Sequence, residues 1–176
     1  MDGFSICFGF FSNDKTKLRV FFYNEKKYNY NEICQRSDKD MLYNRKIVII
    51  GAGHVGIHCA VALSFQNICD EIVLIDRDMV KAKSQAMDLA DSVCFLPSAP
   101  IIRTGGYQDC KDADIIVISA GVPRLPGQTR LDTLGASVEC IKDVVEKLNQ
   151  IDINGIIITI TNPADIIADY VRKGTG

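Results

Sequence analysis

Three glycines at short spacing are the first residues in this chain whose type and position could do chemistry. The pattern Gly51-x-Gly53-x-x-Gly56 directly follows an apolar run from Ile47 to Ile50. The first glycine permits a tight turn, the second lets backbone approach a pyrophosphate, and the third lets a helix pack closely on a strand. Because free N–H groups at a helix N-terminus attract anions, the pattern predicts a diphosphate site. A structural glycine turn is the alternative.

Asp76 follows Gly56 by twenty positions and lies at the end of the next predicted strand. A carboxylate there accepts hydrogen bonds from ribose hydroxyls and repels a 2′-phosphate, which favours NAD over NADP. Arg77 argues the other way, because a guanidinium beside the ribose tolerates a phosphate. A role for Asp76 as a strand-end turn residue is the structural alternative. We therefore predict a dinucleotide site with NAD as its cofactor.

The two histidines of the chain, His54 and His58, are four positions apart at the start of the helix that follows the glycine turn. This spacing can ligate a metal ion. The sequence suggests no third ligand nearby, and His54 is one of the variable positions of the glycine pattern. We predict no metal site. Neither histidine is placed for proton transfer at the far, nicotinamide end of a dinucleotide.

Two arginines and an asparagine form the second group of candidate functional residues. Arg124 lies in the loop from Val122 to Gln128, which contains two prolines and one glycine, and Arg130 follows it. A stiff loop with one pivot is typical of a lid that closes over a substrate. Asn162 follows a predicted strand and can donate and accept hydrogen bonds at once. An Asx-Pro turn is its structural alternative.

The elements that must position these residues are predicted from the apolar pattern. From Arg45 onward, apolar runs of strand length alternate with helical stretches, which predicts a doubly wound α/β fold with a parallel sheet, a Rossmann fold. The predicted strands are Lys46–Ile50, Glu71–Ile75, Ile101–Thr104, Asp114–Ser119 and Gly155–Ile160. One helix is predicted from His54 to Phe65. A longer helix has an apolar stripe at spacings of three and four: Leu131, Leu134, Val138, Ile141, Val145 and Leu148.

Composition limits the class of protein. The 176 residues are enough for one domain with a core, and 47% hydrophobic and 24% charged residues are ordinary for a soluble globular protein. We expect no membrane span, because no apolar run reaches about 18 residues. We expect no nucleic-acid partner, because a net charge of -2 gives no basic field. The seven scattered cysteines contain no C-x-x-C pair, which indicates reduced thiols in a cytoplasmic protein.

Residues 1–44 differ in composition from the rest of the chain. Ten of the fourteen Phe and Tyr residues lie there, and strand or helix periodicity is limited to Leu18–Tyr23. We interpret this segment as an extension of uncertain structure. It is an appended tail, upstream sequence read in frame with Met41 as the natural start, or a regulatory or membrane-contacting arm. Residues 45–176 are expected to form the dinucleotide-binding domain.

Three further motifs appear in order and make the pattern specific: Tyr107-Gln108-Asp109-Cys110-Lys111-Asp112-Ala113-Asp114, the stretch from Ile118 to Leu131, and Ile160-Thr161-Asn162-Pro163-Ala164-Asp165. With these motifs the chain resembles the NAD-dependent L-lactate/malate dehydrogenase family. The resemblance covers about Lys46 to Gly176, which corresponds to the family's N-terminal, cofactor-binding half.

The resemblance implies a role for each matching residue. The implied catalytic residue is Arg130, which polarises the substrate carbonyl, because a fixed guanidinium stabilises the negative charge that develops there. The implied substrate contacts are Arg124, Arg130, Asn162 and Asp165. The implied cofactor contacts are Gly51, Gly53, His54, Val55, Gly56, Asp76, Lys81, Tyr107, Gly121, Val122, Thr161 and Asn162.

The substrate implied by the resemblance is a small 2-oxo or 2-hydroxy acid, and two indicators of its identity conflict. Arg124 occupies the family position that discriminates between substrates. An arginine there is typical of enzymes whose substrate has a second carboxylate, such as oxaloacetate, because the guanidinium and the carboxylate form a bidentate pair. The sequence Arg130-Leu131-Asp132 and the loop as a whole resemble the lactate dehydrogenases of the family. We interpret the chain as lactate dehydrogenase-like, with malate dehydrogenase as the alternative.

The family's proton-transfer histidine, the aspartate that orients it and the arginine that grips the substrate carboxylate belong to a half that has no counterpart among these residues. We therefore expect the substrate domain to be absent, NAD binding to be weak and turnover to be undetectable for these 176 residues alone. The full-length enzyme is expected to be a homo-oligomer. A non-catalytic NAD-binding module is the rival interpretation, but it has no need of Arg124 and Arg130 on a hinged lid.

Overall fold

The computed structural model of the chain describes residues 5–9, 19–22, 44–122, 127 and 134–175. Its strands are β1 Ser5–Gly9, β2 Arg19–Phe22, β3 Lys46–Ile50, β4 Glu71–Ile75, β5 Ile101–Thr104, β6 Ile115–Ile118 and β7 Ile156–Thr159. Its α-helices are α1 His54–Phe65, α2 Met79–Val93, α3 Leu134–Leu148 and α4 Ala164–Gly174, and a 3₁₀ turn covers Tyr107–Cys110. Among the described residues, no helix combines the length and hydropathy needed to cross a bilayer.

A parallel sheet in the order β7-β6-β3-β4-β5 forms the centre of the structure. The chain runs outward from β3 through β4 to β5 and then returns to the other side of β3 as β6. The strand order therefore reverses between β3 and β6. In open α/β sheets, ligands bind beyond the carboxyl ends of the strands at such a reversal. The predicted parallel α/β fold is confirmed.

Helices cover both faces of this sheet, and β3 shows why its sequence is apolar throughout. Val48 and Ile50 pack on one face with residues of α3 and α4, whereas Ile47 and Ile49 pack on the other face with residues of α1 and α2. A strand buried on both faces carries a continuous apolar run rather than alternating polar residues. Complete burial of each large aliphatic side chain stabilises the fold by about 1.5–3 kcal/mol.

The boundaries of most elements agree with the sequence patterns. β3, β4, β5 and α1 begin and end at the predicted residues, whereas β6 and β7 are each one residue shorter at both ends. The apolar stripe lies on α3, where Ile141, Val145 and Leu148 are buried. Leu131, the first predicted member of the stripe, lies outside the described residues.

Two strands from the N-terminal 44 residues extend the sheet, a feature that the sequence patterns did not predict. β1 pairs in parallel with β7, with Ile6 opposite Ile158, and β2 pairs with β1 in the antiparallel sense. The segment Arg19–Phe22 is rich in β-branched and aromatic residues, which suit a strand. β1 thereby supplies hydrogen-bonding partners to an edge of β7 that would otherwise be unpaired.

Candidate functional site

The glycine turn between β3 and α1 is shaped by two close approaches. Gly51 has φ +109°, which favours glycine, and its N–H donates to the carbonyl oxygen of Ile75 at 2.7 Å. A Cβ at Gly56 would lie 1.9 Å from the carbonyl oxygen of Gly51. The first and third glycines are therefore both required for the turn to form.

The N-terminus of α1 is open to an anion. Gly53 is the N-cap, and α1, which the structure describes in full, has neither a side-chain cap nor an acidic residue in its first turn. A Cβ at Gly53 would meet nothing within 4 Å, so its backbone faces open space. Uncapped N–H groups and the positive end of the helix dipole stabilise a phosphate group at such a position.

Asp76, at the end of β4, connects the turn to the next helix. Its Oδ2 accepts a hydrogen bond from the Ala52 N–H at 2.7 Å, and its Oδ1 accepts one from the Asp78 N–H at 2.9 Å. Asp78 is in turn the N-cap of α2 and accepts from the Lys81 N–H at 3.0 Å. One carboxylate therefore orients the turn and the start of α2 and keeps lone pairs for a ligand.

A cavity of about 300 Å³ lies between the glycine turn and α2. Lys81 lines this cavity together with residues of the glycine turn. Gln85 also lines the cavity, and sequence reasoning missed it, although it lies one helical turn after Lys81 on α2. The full lining is Ala52, Gly53, His54, Ile57, Lys81 and Gln85. A larger cleft of about 440 Å³ lies elsewhere on α2 and contains none of the predicted site residues.

The two histidines interact with each other on the first turns of α1. Their rings meet edge to face with centroids 4.5 Å apart, and Nδ1 of His58 lies 2.6 Å from the carbonyl oxygen of His54. Within the described part of the chain, no group of three metal-ligating side chains forms. The contacts of His58 are thus those of a helix residue bonded to its own backbone.

The turns after β6 and β7 meet at the same edge of the sheet. The hydroxyl of Thr161 donates to the carbonyl oxygen of Ala120 at 2.7 Å, and a Cβ at Gly121 would lie 3.0 Å from Cγ2 of Thr161. Asn162 is exposed beside this contact, and its peptide bond to Pro163 is cis. The close approach explains why a glycine follows Ala120.

The remaining predicted site residues occupy different surroundings. Val55 and Val122 are exposed near the turns that carry them, and Asp165 is exposed in the first turn of α4. Arg124 and Arg130, with most of the predicted lid, lie outside the described residues. The structure therefore places Gly53, His54 and Lys81 around one cavity and Gly121 beside Thr161, and it leaves the two arginines undescribed.

Tyr107 lies on the 3₁₀ turn after β5 and packs against the core beside α3. Burial raises the pKa of its phenol to about 12, with a smaller contribution from the charge of Asp143. Nζ of Lys147 lies 5.1 Å from the centre of the ring, within cation–π range. The phenol is therefore a neutral donor at physiological pH.

Asp109 holds the turn that carries Tyr107. Its Oδ1 accepts from Nη2 of Arg103 at 2.6 Å and from Nζ of Lys46 at 3.4 Å, and its Oδ2 accepts from the Gly106 N–H at 2.9 Å. Burial by itself would raise the pKa of Asp109, but these hydrogen bonds and positive charges lower it below its usual value. The ionised carboxylate therefore stabilises the crossover from β5 to β6.

Asp109 and its partners Arg103, Lys46 and the Gly106 N–H form a cluster of interactions. We expect this cluster to make the free energy of unfolding depend on pH in the acid range. Because its pKa is lower in the folded state, its contribution is complete above about pH 4 and is lost as the pH falls through the folded pKa. Urea unfolding between pH 6 and pH 2.5 should show a smaller loss of unfolding free energy for Asp109→Asn than for the unmodified chain. Asp88→Asn, which alters an exposed carboxylate on α2, should leave the pH dependence intact. Equal pH dependence in all three proteins would contradict this role.

Sequence similarity over residues 45–176 decides the family. Residues 45–176 match the profile described as lactate/malate dehydrogenase, NAD binding domain. The chain belongs to the lactate/malate dehydrogenase family. The resemblance stated from the motifs is confirmed, and so is NAD as the cofactor of this domain.

Relatives within the lactate/malate dehydrogenase family carry both names. The chain is 46% identical over 136 residues to an L-lactate dehydrogenase of Fusobacterium nucleatum, a match covering 77% of this chain and 42% of that protein. The minor L-lactate dehydrogenase of Enterococcus mundtii, in its ligand-bound form, matches with a TM-score of 0.71 and 34% identity, covering 76% of this chain and 42% of its own. The malate dehydrogenase of Archaeoglobus fulgidus in complex with NADH matches with a TM-score of 0.69 and 35% identity, covering 74% and 45%.

This member of the lactate/malate dehydrogenase family spans about two fifths of the length of the relatives it matches. The matched part is their NAD-binding domain. The turn, Asp76 and the open end of α1 therefore lie in the domain that binds NAD in this family.

Proposed function

We propose that residues 45–176 are the cofactor-binding half of an NAD-dependent L-2-hydroxyacid dehydrogenase that interconverts L-lactate and pyruvate. The observation that carries the proposal is the geometry at the end of β3, where an uncapped helix N-terminus faces open space beside the Asp76 carboxylate. The L-lactate dehydrogenase of Fusobacterium nucleatum, 46% identical, supports the choice of lactate.

The residues present fit a dinucleotide. The open backbone of Gly53 and the N–H groups at the start of α1 would hold the pyrophosphate, and Asp76 would accept hydrogen bonds from the adenosine ribose. Lys81, which shares the cavity beside the turn, would add positive charge. Thr161 and Gly121, in contact after β7 and β6, would border the nicotinamide side. NAD, when bound, supplies the acceptor for the hydride that leaves the substrate.

The substrate end of the proposed site would combine Arg124, Arg130, Asn162 and Asp165. In the direction of reduction, the carbonyl oxygen of the substrate gains negative charge as hydride arrives, and the guanidinium of Arg130 would stabilise that charge. Asn162, which is exposed at the edge of the sheet, would bridge a ribose hydroxyl and a substrate oxygen because its amide both donates and accepts. Asp165 would border the substrate from the first turn of α4.

Malate dehydrogenase is the second candidate, and a single residue favours it. Arg124 offers two parallel N–H donors to a second carboxylate such as that of oxaloacetate. The match to an Archaeoglobus fulgidus malate dehydrogenase at 35% identity keeps this candidate open. A charge-assisted bidentate pair contributes roughly 1.5–3 kcal/mol, or about 10- to 100-fold in relative rate.

Steady-state rates of the full-length enzyme on pyruvate and oxaloacetate test the choice of substrate. We expect a higher kcat/KM for pyruvate, and we expect Arg124→Gln to raise the ratio of pyruvate to oxaloacetate by about 10-fold or more because the second carboxylate loses its partner. Lys83→Gln removes an exposed positive charge on α2 and should leave the ratio unchanged. A strong oxaloacetate preference of the unmodified enzyme would replace lactate with malate.

The polypeptide of 176 residues is expected to bind NAD weakly and to show no turnover. Its histidines, His54 and His58, both lie at the phosphate turn, so no imidazole is available at the nicotinamide end for proton transfer. The measurement is NADH oxidation followed at 340 nm with pyruvate and with oxaloacetate. Turnover above that of Arg130→Ala with either substrate would refute the expectation.

The full-length enzyme would act on small 2-oxo and 2-hydroxy acids as a homo-oligomer in the cytoplasm. A non-catalytic NAD-binding module is the rival of another class. Arg124 and Arg130, on a loop with two prolines and a glycine, favour the enzyme, since simple dinucleotide binding does not require them.

A further inference from the structure

Ser119 lies directly after β6, where the strand order reverses beside β3. Its hydroxyl donates a hydrogen bond to the carbonyl oxygen of Gly51 at 2.8 Å, and the carbonyl oxygen of Ile50 lies farther away at 3.4 Å. The backbone N–H of Ser119 also donates to the carbonyl oxygen of Ile50 at 2.9 Å. Ser119 therefore contacts the exact point at which β3 becomes the phosphate turn.

The glycines of the turn leave the space that this hydroxyl occupies. A Cβ at Gly51 would lie 2.8 Å from Oγ of Ser119, and a Cβ at Gly56 would lie 2.6 Å from the same atom. Either contact is shorter than a carbon and an oxygen tolerate. The absence of a side chain at the first and third glycines thus leaves room for the Ser119 hydroxyl as well as for the close contact between the backbones of Gly51 and Gly56.

The turn is held from two sides of β3. From β4, the Ile75 carbonyl accepts from the Gly51 N–H and the Asp76 carboxylate accepts from the Ala52 N–H, each at 2.7 Å. These bonds fix N–H groups. From β6, Ser119 fixes the carbonyl of Gly51, whose peptide plane sets the direction of the residues that lead into α1.

We propose that Ser119 is a positioning residue for phosphate binding, holding the Gly51 peptide so that the N–H groups at the start of α1 point at the pyrophosphate. The inference rests on the proposed dinucleotide site and deepens it. In this role Ser119 acts through the turn, because its hydroxyl bonds to the Gly51 carbonyl oxygen. Its removal should therefore weaken binding of a phosphate-bearing ligand and leave binding of the nucleoside unchanged.

The test compares ADP with adenosine on the whole chain, with amide chemical shifts followed by NMR during titration. Ser119→Ala should raise the dissociation constant for ADP about 3- to 10-fold, the effect of one hydrogen bond, without changing that for adenosine. Ser64→Ala is the matched control, because its hydroxyl donates to the Ala60 carbonyl at the same 2.8 Å but lies within α1, away from the turn. It should leave both constants unchanged.

Ser119→Thr and Ser119→Val provide a second comparison at nearly equal side-chain volume, which decides the matter even if Ser119→Ala does not fold. The threonine variant keeps a hydroxyl and should bind ADP more tightly than the valine variant by the same factor. Equal ADP affinity of the two, or an equal loss of ADP and adenosine affinity in Ser119→Ala, would overturn the inference. Failure of the unmodified chain to bind ADP would instead reject the proposed dinucleotide site.

Discussion

Replacing Gly56 with alanine is expected to lower the free energy of unfolding by roughly 3 kcal/mol or more. The new Cβ would lie 1.9 Å from the carbonyl oxygen of Gly51 and 2.6 Å from Oγ of Ser119. The carbonyl oxygen of Gly51 belongs to the backbone and cannot move away by a side-chain rotation, so β3 and α1 must separate. Urea unfolding followed by circular dichroism measures the loss.

Gly53→Ala is the matched control, since it adds the same methyl group to the same turn. Its Cβ would meet nothing within 4 Å, and Gly53 has a φ of -77° that alanine adopts freely. We expect a change in unfolding free energy within about 1 kcal/mol but a loss of NAD affinity of about 10-fold or more, because the methyl group fills the face that the pyrophosphate approaches. Similar unfolding free energies for Gly53→Ala and Gly56→Ala would show that the close packing described at Gly56 is wrong.

Asp76→Ala is expected to weaken NAD binding by about 10- to 100-fold and to reduce the preference for NAD over NADP. The substitution removes the charged acceptor for the ribose hydroxyls, worth roughly 1.5–3 kcal/mol, and the charge that repels a 2′-phosphate. It also frees the Ala52 N–H, which Asp76 holds at 2.7 Å. Dissociation constants of the full-length enzyme for NAD and NADP, measured by calorimetry, give the ratio directly.

Two variants separate the ligand-binding role of Asp76 from its structural role. Asp76→Asn keeps one oxygen acceptor without the charge, so NADP should gain relative to NAD while the fold is retained. Asp78→Ala removes the cap of α2, at a cost of about 1 kcal/mol, without changing the carboxylate at the ribose. An unaltered NAD to NADP ratio in both Asp76 variants would refute the assignment, and a ratio changed as strongly by Asp78→Ala would assign the effect to the helix instead.

The strands around the turn were predictable because burial on both faces leaves a direct mark in the sequence. β3 and β4 each begin with a charged residue and continue as a buried apolar run, and their limits follow from that pattern. The ends of β6 were predicted one residue too long at Asp114 and Ser119. Both residues do hydrogen-bond to β3 or its flanks, Asp114 through the Lys46 carbonyl and Ser119 through the Ile50 carbonyl. Composition cannot distinguish such flanking bonds from the strand itself.

The contacts that complete the site could not be predicted in the same way. The role of Ser119 depends on β6 lying beside β3, which is a property of strand order, and a serine after a strand carries no signal of its neighbour. The same is true of Asp109, whose partners Arg103 and Lys46 come from two different strands. The pairing of β1 with β7 depends on an edge that only the assembled sheet creates.

The position of Ser119 also bears on the order in which the protein folds. The bond from Ala52 to Asp76 joins residues 24 positions apart, whereas the bond from Ser119 to Gly51 closes a loop of 68 positions. Contacts across longer loops cost more chain entropy and form later. The β4 side of the turn can therefore assemble while the chain is still being synthesised, and the β6 side completes it only after residue 119 has emerged. Cofactor binding consequently stabilises the finished sheet and does not stabilise the earliest folding intermediates.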